Sequence, residues 1–314
     1  MKFRMSALWY TMAATTLALL VPVAGRAQAI VQTALGVLSA ETVHLEYSDS
    51  SKLRNLPDYA SLRERYLGPR LKELEASLAQ LDIEEGSIDE VVLGWRLEGS
   101  EAQLCGVASG RFDPQAVSAA AARRGLRARP VGENKIYCLG EGADHTCVAI
   151  RDPAVGFFGP LSSLTAMLKG EAGLESNTEF TRLVEGADHS APIWGVAKGR
   201  AVADWFRNTM PGQENTKLDW NTAFQGVNGL TYSVETGNDV RLAMRLDCVS
   251  PGVAASVRQL LEGLRLVQRM AWQSQNPLLP NPYESLVVDS QNSEVSLKVT
   301  TPYAALAGIR RGSQ

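Results

Sequence analysis

Residues 89–125 and 228–263 spell the same series of local structures twice, and this repetition limits the folds open to the chain more than any other feature. The first stretch, DEVVLGWRLEGSEAQLCGVASGRFDPQAVSAAAARRG, reads as strand, Glu-Gly-Ser turn, strand, then Asp113-Pro114 opening a helix. The second, NGLTYSVETGNDVRLAMRLDCVSPGVAASVRQLLEG, repeats that order with Ser250-Pro251 at the helix start. Asp or Ser accepts hydrogen bonds from the exposed N–H groups of a first helical turn, and proline at the next position loses no bond the helix needs. Both halves end alike, with Pro160, Leu164 and Gly170 matched by Pro302, Leu306 and Gly312, each a short helix after a strand.

Side-chain periods agree. Val240, Leu242, Met244, Leu246 and Cys248 alternate with Arg241, Ala243, Arg245 and Asp247, the period of a sheet with one dry face, and Val295, Leu297 and Val299 do the same. After Ser250, Val253, Val257, Leu260, Leu261, Leu264, Val267 and Ala271 keep helical spacing and predict a long amphipathic helix over that sheet. Leu67, Leu71, Leu74, Leu78 and Leu81 predict another, interrupted at Gly68-Pro69. The expected fold is α+β: tandem β-α-β-β-α-β-β-α units with mainly antiparallel sheets and helices packed on one face. Residues 30–175 form the first half and 176–314 the second. The division is placed at LESNTEFTRLVEGADHSAP, where apolar periodicity lapses.

Residues 1–29 read as a signal peptide: Lys2 and Arg4, an apolar run from Ala7 to Leu20, Pro22, and an Ala27-Gln28-Ala29 cleavage pattern. The product is expected to be periplasmic or secreted, with no stable membrane span after cleavage. Losing Lys2, Arg4 and Arg26 leaves 28 basic against 34 acidic residues, about −6. That balance argues against nucleic-acid binding, which needs a basic face. The one basic cluster, Arg123, Arg124, Arg127 and Arg129, follows an Ala-rich helix and reads as compensation for the helix's negative end. In an exported chain, Cys138 and Cys147 flank a Gly-rich turn and would face each other across a hairpin, either as a disulfide or as two buried thiols.

EGADHT at 141–146 returns as EGADHS at 185–190, each with one of the three histidines. If Asp144, His145, Asp188 and His189 met, they could hold a metal. The two copies do not occupy matching places in the repeat, however, and neighbouring side chains in extended backbone point apart, so both read as turns before strands. A Cys138, His145, Cys147 zinc site lacks a second ligand pair. His44 lies on the strand face opposite Val43, Leu45 and Tyr47, and no G-x-S-x-G elbow, H-E-x-x-H helix or phosphate-binding glycine loop is present. Glu84, Glu85, Asp89 and Glu90 could pair for glycoside hydrolysis but sit in a turn-like EEGSIDE segment, read as a solvated connector. Trp220 and Trp272, where helical periodicity fades, are candidates for a binding surface.

LEYSDSSKLRNLPDYASLRERYLGPRL (45–71), DEVVLGWR (89–96), SGRFDP (109–114) and the L-D-C-x-S-P helix start (246–251) resemble uncharacterised exported bacterial proteins of duplicated α+β type. The resemblance covers most of the chain beyond residue 29. It implies fold and export, and brings no activity, cofactor or catalytic residue.

The expectation for function is therefore a non-catalytic envelope module with no cofactor, binding an unknown envelope protein or ligand. A metal-dependent or other hydrolase using the Asp-His turns stands second. A periplasmic small-molecule sensor or carrier, with its ligand held between the halves, stands third.

Overall fold

Two hairpins with helix-starting prolines behind them organise everything else. In this computed structural model, residues 24–57, 59–60, 69–98, 101–139, 146–171, 173–209 and 218–306 are described. The strands are β1 (Thr42–Asp49), β2 (Ile88–Glu98), β3 (Glu101–Gly110), β4 (Arg129–Val131), β5 (Asn134–Leu139), β6 (Thr146–Asp152), β7 (Val155–Gly159), β8 (Ile193–Lys198), β9 (Val227–Thr236), β10 (Asp239–Cys248), β11 (Val287–Gln291) and β12 (Glu294–Pro302). The principal helices are α1 (Ala24–Val37), α2 (Pro69–Ala79), α3 (Pro114–Arg123), α4 (Leu161–Lys169), α5 (Thr178–Glu185), α6 (Arg200–Thr209) and α7 (Pro251–Gln275). Asp113 accepts from the N–H groups of Gln115 and Ala116 to start α3, and Ser250 accepts from Val253 N–H to start α7.

All the strands join one twelve-stranded sheet in the order β11-β12-β10-β9-β8-β1-β2-β3-β7-β6-β5-β4, and every neighbouring pair is antiparallel. The fold is α+β. The second half follows the expected β-α-β-β-α-β-β-α order, while the first adds α1 in front and a β4–β5 hairpin after α3. The halves meet where His44–Ser48 of β1 pairs with Ile193–Ala197 of β8.

Over β9, β10 and β12 the helices cover one face, as the alternation implies. Leu230, Tyr232, Met244, Leu246, Val295 and Leu297 pack with α6 and α7, and the intervening Arg241, Arg245, Glu294 and Lys298 lie on the opposite face. Over the first half helices cover both faces. Val92, Val107, Cys147 and Phe157 pack with α1, α4 and α5, whereas their chain neighbours Leu93, Ala108, Val148 and Phe158 pack with α2 and α3. Consecutive strand residues point to opposite faces, so the two clusters lie on either side of one sheet. Strands covered on both sides read as continuous apolar runs, which VVLGW and FFG are.

The stretch placed between the halves is not irregular: α5 occupies Thr178–Glu185, capped by Asn177, with Phe180 and Val184 buried. Its apolar positions Phe180, Leu183, Val184 and Ala187 keep helical spacing over too short a run to stand out. Residues 1–23, the bulk of the expected signal peptide, lie outside the described residues. Residues 24–29 form the first turns of α1, and Ile30, Val31, Ala34 and Leu35 of that helix are buried in the core. Among the described residues no helix is long and apolar enough to cross a membrane.

Cys138 and Cys147 are directly opposite across β5 and β6 and are joined by a disulfide, while Cys105 and Cys248 are free and buried. The bond closes a loop spanning nine positions, which in the loop-entropy account stabilises by about 2–3 kcal/mol. A Cys138→Ser, Cys147→Ser chain should lower the urea midpoint by a corresponding amount, and the wild type under reductant should fall to the same value.

Candidate functional site

Two cross-strand rows on the α2–α3 side of the sheet create a dent in the first half. One row runs Val91, Ala108, Gly156, Ile150 across β2, β3, β7 and β6, and the next runs Leu93, Gly106, Phe158, Val148. In the second row the Phe158 ring leans over Gly106, where an added Cβ would lie 2.1 Å from the ring. In the first row the two central residues are small, and the space above them is filled only in part: a Cβ on residue 156 would lie 3.0 Å from Ile150 Cδ1 and 3.7 Å from the Phe112 ring. The result is a cavity of about 220 Å³. Its floor is Ala108 and Gly156, and Leu53, Leu78, Ile83 and Phe112 also line it. Its polar boundary is Ser48, Ser50, Tyr59, Glu75 and Glu85, with the Tyr59 hydroxyl donating to the Glu85 carboxylate.

A second arrangement lies at the joint between the halves. Gly195 of β8 sits between Glu46 of β1 and Tyr232 of β9. Its missing side chain lets the Tyr232 ring cross β8, where a Cβ on residue 195 would lie 2.4 Å from the phenol oxygen. Tyr232 Oη donates to Glu46 Oε2 at 2.5 Å. Its one proton being committed there, the same oxygen accepts from His44 Nε2–H at 3.1 Å, which fixes the imidazole tautomer. His44 stacks on Trp95, with ring centroids 4.3 Å apart, and Trp205 packs on Tyr232 at 5.0 Å. Burial lowers the His44 pKa to about 3, so the ring is neutral near pH 7. Burial, reinforced by the Glu46 carboxylate, raises the Tyr232 phenol well above its ordinary range. The group is a hydrogen-bonded chain of a neutral imidazole, a protonated phenol and the Glu46 carboxylate, suited to holding strands together, and its phenol is a poor proton source.

The repeated Asp-His motif is punctuation where it is described. Asp144 and His145 lie outside the described residues. Asp188 accepts from Ser190 N–H at 3.1 Å and Ser190 Oγ–H at 2.6 Å, a local turn that ends the connection from α5. His189 donates Nε2–H to the Val184 carbonyl at 2.8 Å, beside the bond that this carbonyl accepts from Ala187 N–H at the end of α5, and its ring lies 4.4 Å from Trp194. Among the described residues no three His, Cys, Asp or Glu side chains converge as metal ligands.

The acidic connector is solvated only in part. Glu84 is exposed, but Glu90 belongs to β2 and is buried, accepting from Tyr47 Oη–H at 2.7 Å and Ser109 Oγ–H at 2.9 Å. These hydroxyls replace the water that the carboxylate loses. Trp220 and Trp272 are also buried, so neither forms a binding surface. The half-buried Trp95 and Trp205 instead pack at the joint, a role visible only once β1, β8 and β9 are neighbours. The basic cluster does not cap its helix with side chains: the last carbonyls of α3 are bonded by the Arg124 N–H, and Arg123 pairs with Asp82.

No family model and no curated protein matches the chain. Among solved structures, crystal form III of TP0453 is similar at 12% identity with a TM-score of 0.51, covering 88% of this chain and 96% of that one. Crystal form I of TP0453 is similar at 11% identity with a TM-score of 0.50, covering 88% and 94%. The likeness is one of fold.

Because the unfolded chain protonates His44 near 6.5 and the folded chain only near 3, the His44 contribution is intact above pH 6.5. It is lost as the pH falls from 6.5 toward 3, by up to about 1.4 kcal/mol per unit. Urea titrations across that window should show a shallower acid limb for His44→Gln than for the wild type; equal limbs would remove His44 from the account.

Proposed function

We propose that the chain is an exported, non-catalytic envelope protein, periplasmic or secreted, that takes an apolar small ligand in the cavity over Ala108 and Gly156. The single observation carrying this reading is that dent: two small residues at the centre of a cross-strand row whose flanking positions are filled by Val91 and Ile150. An apolar cavity of about 150 Å³ is enough to hold benzene. The 220 Å³ here suits an aromatic ring or a short aliphatic segment, with Ser48, Ser50, Tyr59, Glu75 and Glu85 at the polar boundary. The ligand thus lies within the first half, under α2, rather than between the halves. Two hairpin–helix units of common order, one on each side of the β1–β8 joint, suit a scaffold that was doubled and then elaborated on one side by β4 and β5. The hydrolase reading is less well supported, because His189 Nε2 and the Asp188 carboxylate are engaged in local turns.

The test is a fluorescence titration of the full chain with the neutral apolar probe N-phenyl-1-naphthylamine. Saturable one-to-one binding is expected. Ala108→Leu, which fills the dent, should weaken it by about tenfold or more while the fold is retained, equivalent to about 1.4 kcal/mol. Undiminished binding by a folded Ala108→Leu chain would overturn the assignment.

A further inference from the structure

The far edge of the sheet concentrates positive charge on a chain whose total is −3. Gly125, at φ +69°, ends α3 and turns the chain, and Leu126 packs into the α2–α3 core. The segment then continues through Arg127 into β4. There Pro130 pairs with Lys135 of β5, and Arg129 with Ile136, so Arg129 and Lys135 project from opposite faces of the edge hairpin and flank its free edge on both sides. Arg124, Arg127, Arg129 and Lys135 are all exposed. Glu133 is the one acid between residues 124 and 135. Arg123 is neutralised by Asp82, but the other four cations have no ion pair among the described residues.

We infer that Arg124, Arg127, Arg129 and Lys135 form a docking surface for an anionic lipid bilayer. Three features favour a lipid surface over a protein partner. A specific protein interface needs a buried apolar centre within some 800 Å² on each side, and among the described residues the large exposed apolar side chains, Val249, Leu266, Val267, Met270, Leu278 and Val287, belong to the second half. Strand addition by another chain is opposed by β4 itself, which is three residues long and carries Pro130. The cations also project around a sheet edge rather than into a groove, which matches a diffuse negative surface and gives no shape for a single phosphate. Near such a surface each cation contributes about a fivefold factor in partitioning, so four together give several hundredfold, and salt screens the effect. The surface is separate from the cavity, and neither depends on the other.

The experiment is co-sedimentation of the full chain with vesicles of phosphatidylcholine alone or of phosphatidylcholine and phosphatidylglycerol in equal parts, at low and high salt. Binding is expected to be stronger to the anionic vesicles and to weaken with salt. It should drop about fivefold in Arg129→Gln and fall to the phosphatidylcholine level when Arg124, Arg127, Arg129 and Lys135 are all changed to Gln. A charge-matched control, with Arg182, Arg241, Arg269 and Lys298 changed to Gln, should keep the preference. Equal loss in the control, no effect of the four substitutions, or no preference for anionic vesicles in the wild type would each overturn the proposal. Circular dichroism of each variant verifies folding, which these exposed positions should not disturb.

Discussion

The pairing of β1 with β8 is the interaction on which the rest of the architecture depends. Without it there are two sheets; with it there is one, and its centre is the contact between the halves. Backbone hydrogen bonds supply the register. Tyr232 adds a side-chain strut reaching from β9 over Gly195 to Glu46 and His44 on β1. Three adjacent strands are thereby held by one phenol, and the strut requires that residue 195 have no side chain. Burial keeps His44 neutral and Tyr232 protonated, so the link carries directional hydrogen bonds and no imidazolium.

That joint explains why the two flanks of the sheet differ. Beyond β9, alternation leaves Arg241, Arg245 and Lys298 facing away from the helix-covered side, and α7 alone covers much of the dry face. On the other flank both faces are dry, and a glycine or alanine at the centre of a row creates space that neighbours on the same strand cannot fill. Phe158 closes such a gap over Gly106, whereas Ile150 and Phe112 close the one over Ala108 and Gly156 only in part. The cavity is thus a product of side-chain volumes set side by side across four strands.

What could be read in the sequence was what is local. The Asp113-Pro114 and Ser250-Pro251 starts, the strand alternation of β10 and β12, and the turn character of Asp188 depend on residues within a few positions of one another. Cys138 facing Cys147 is likewise a matter of one hairpin. What escaped depends on distant register. His44 sits on the side of β1 away from Leu45 and Tyr47, as its position implies, but that side is also packed, because Trp95 and Tyr232 arrive from other strands. Glu90 resembled a solvated acid until Tyr47 and Ser109 were placed on either side of it. The short α5 gave too few apolar positions to register, and a missing side chain in the middle of a row leaves no periodic signature. The unbroken apolar runs VVLGW and FFG did carry a signal, that of strands covered on both faces.

The β1–β8 joint also has a consequence for synthesis. Strand β1 is complete by residue 49, but its partner on one side begins only at residue 193. During elongation the first half therefore presents a free strand edge to whatever chain is nearby, the situation in which nascent proteins mispair and aggregate. Its Glu46 carboxylate, which in the finished molecule receives the Tyr232 hydroxyl, is at that stage a charge on an edge strand, the kind of residue that discourages intruding strands. The group that fastens the completed sheet thus also serves as its gatekeeper while the second half is still being made.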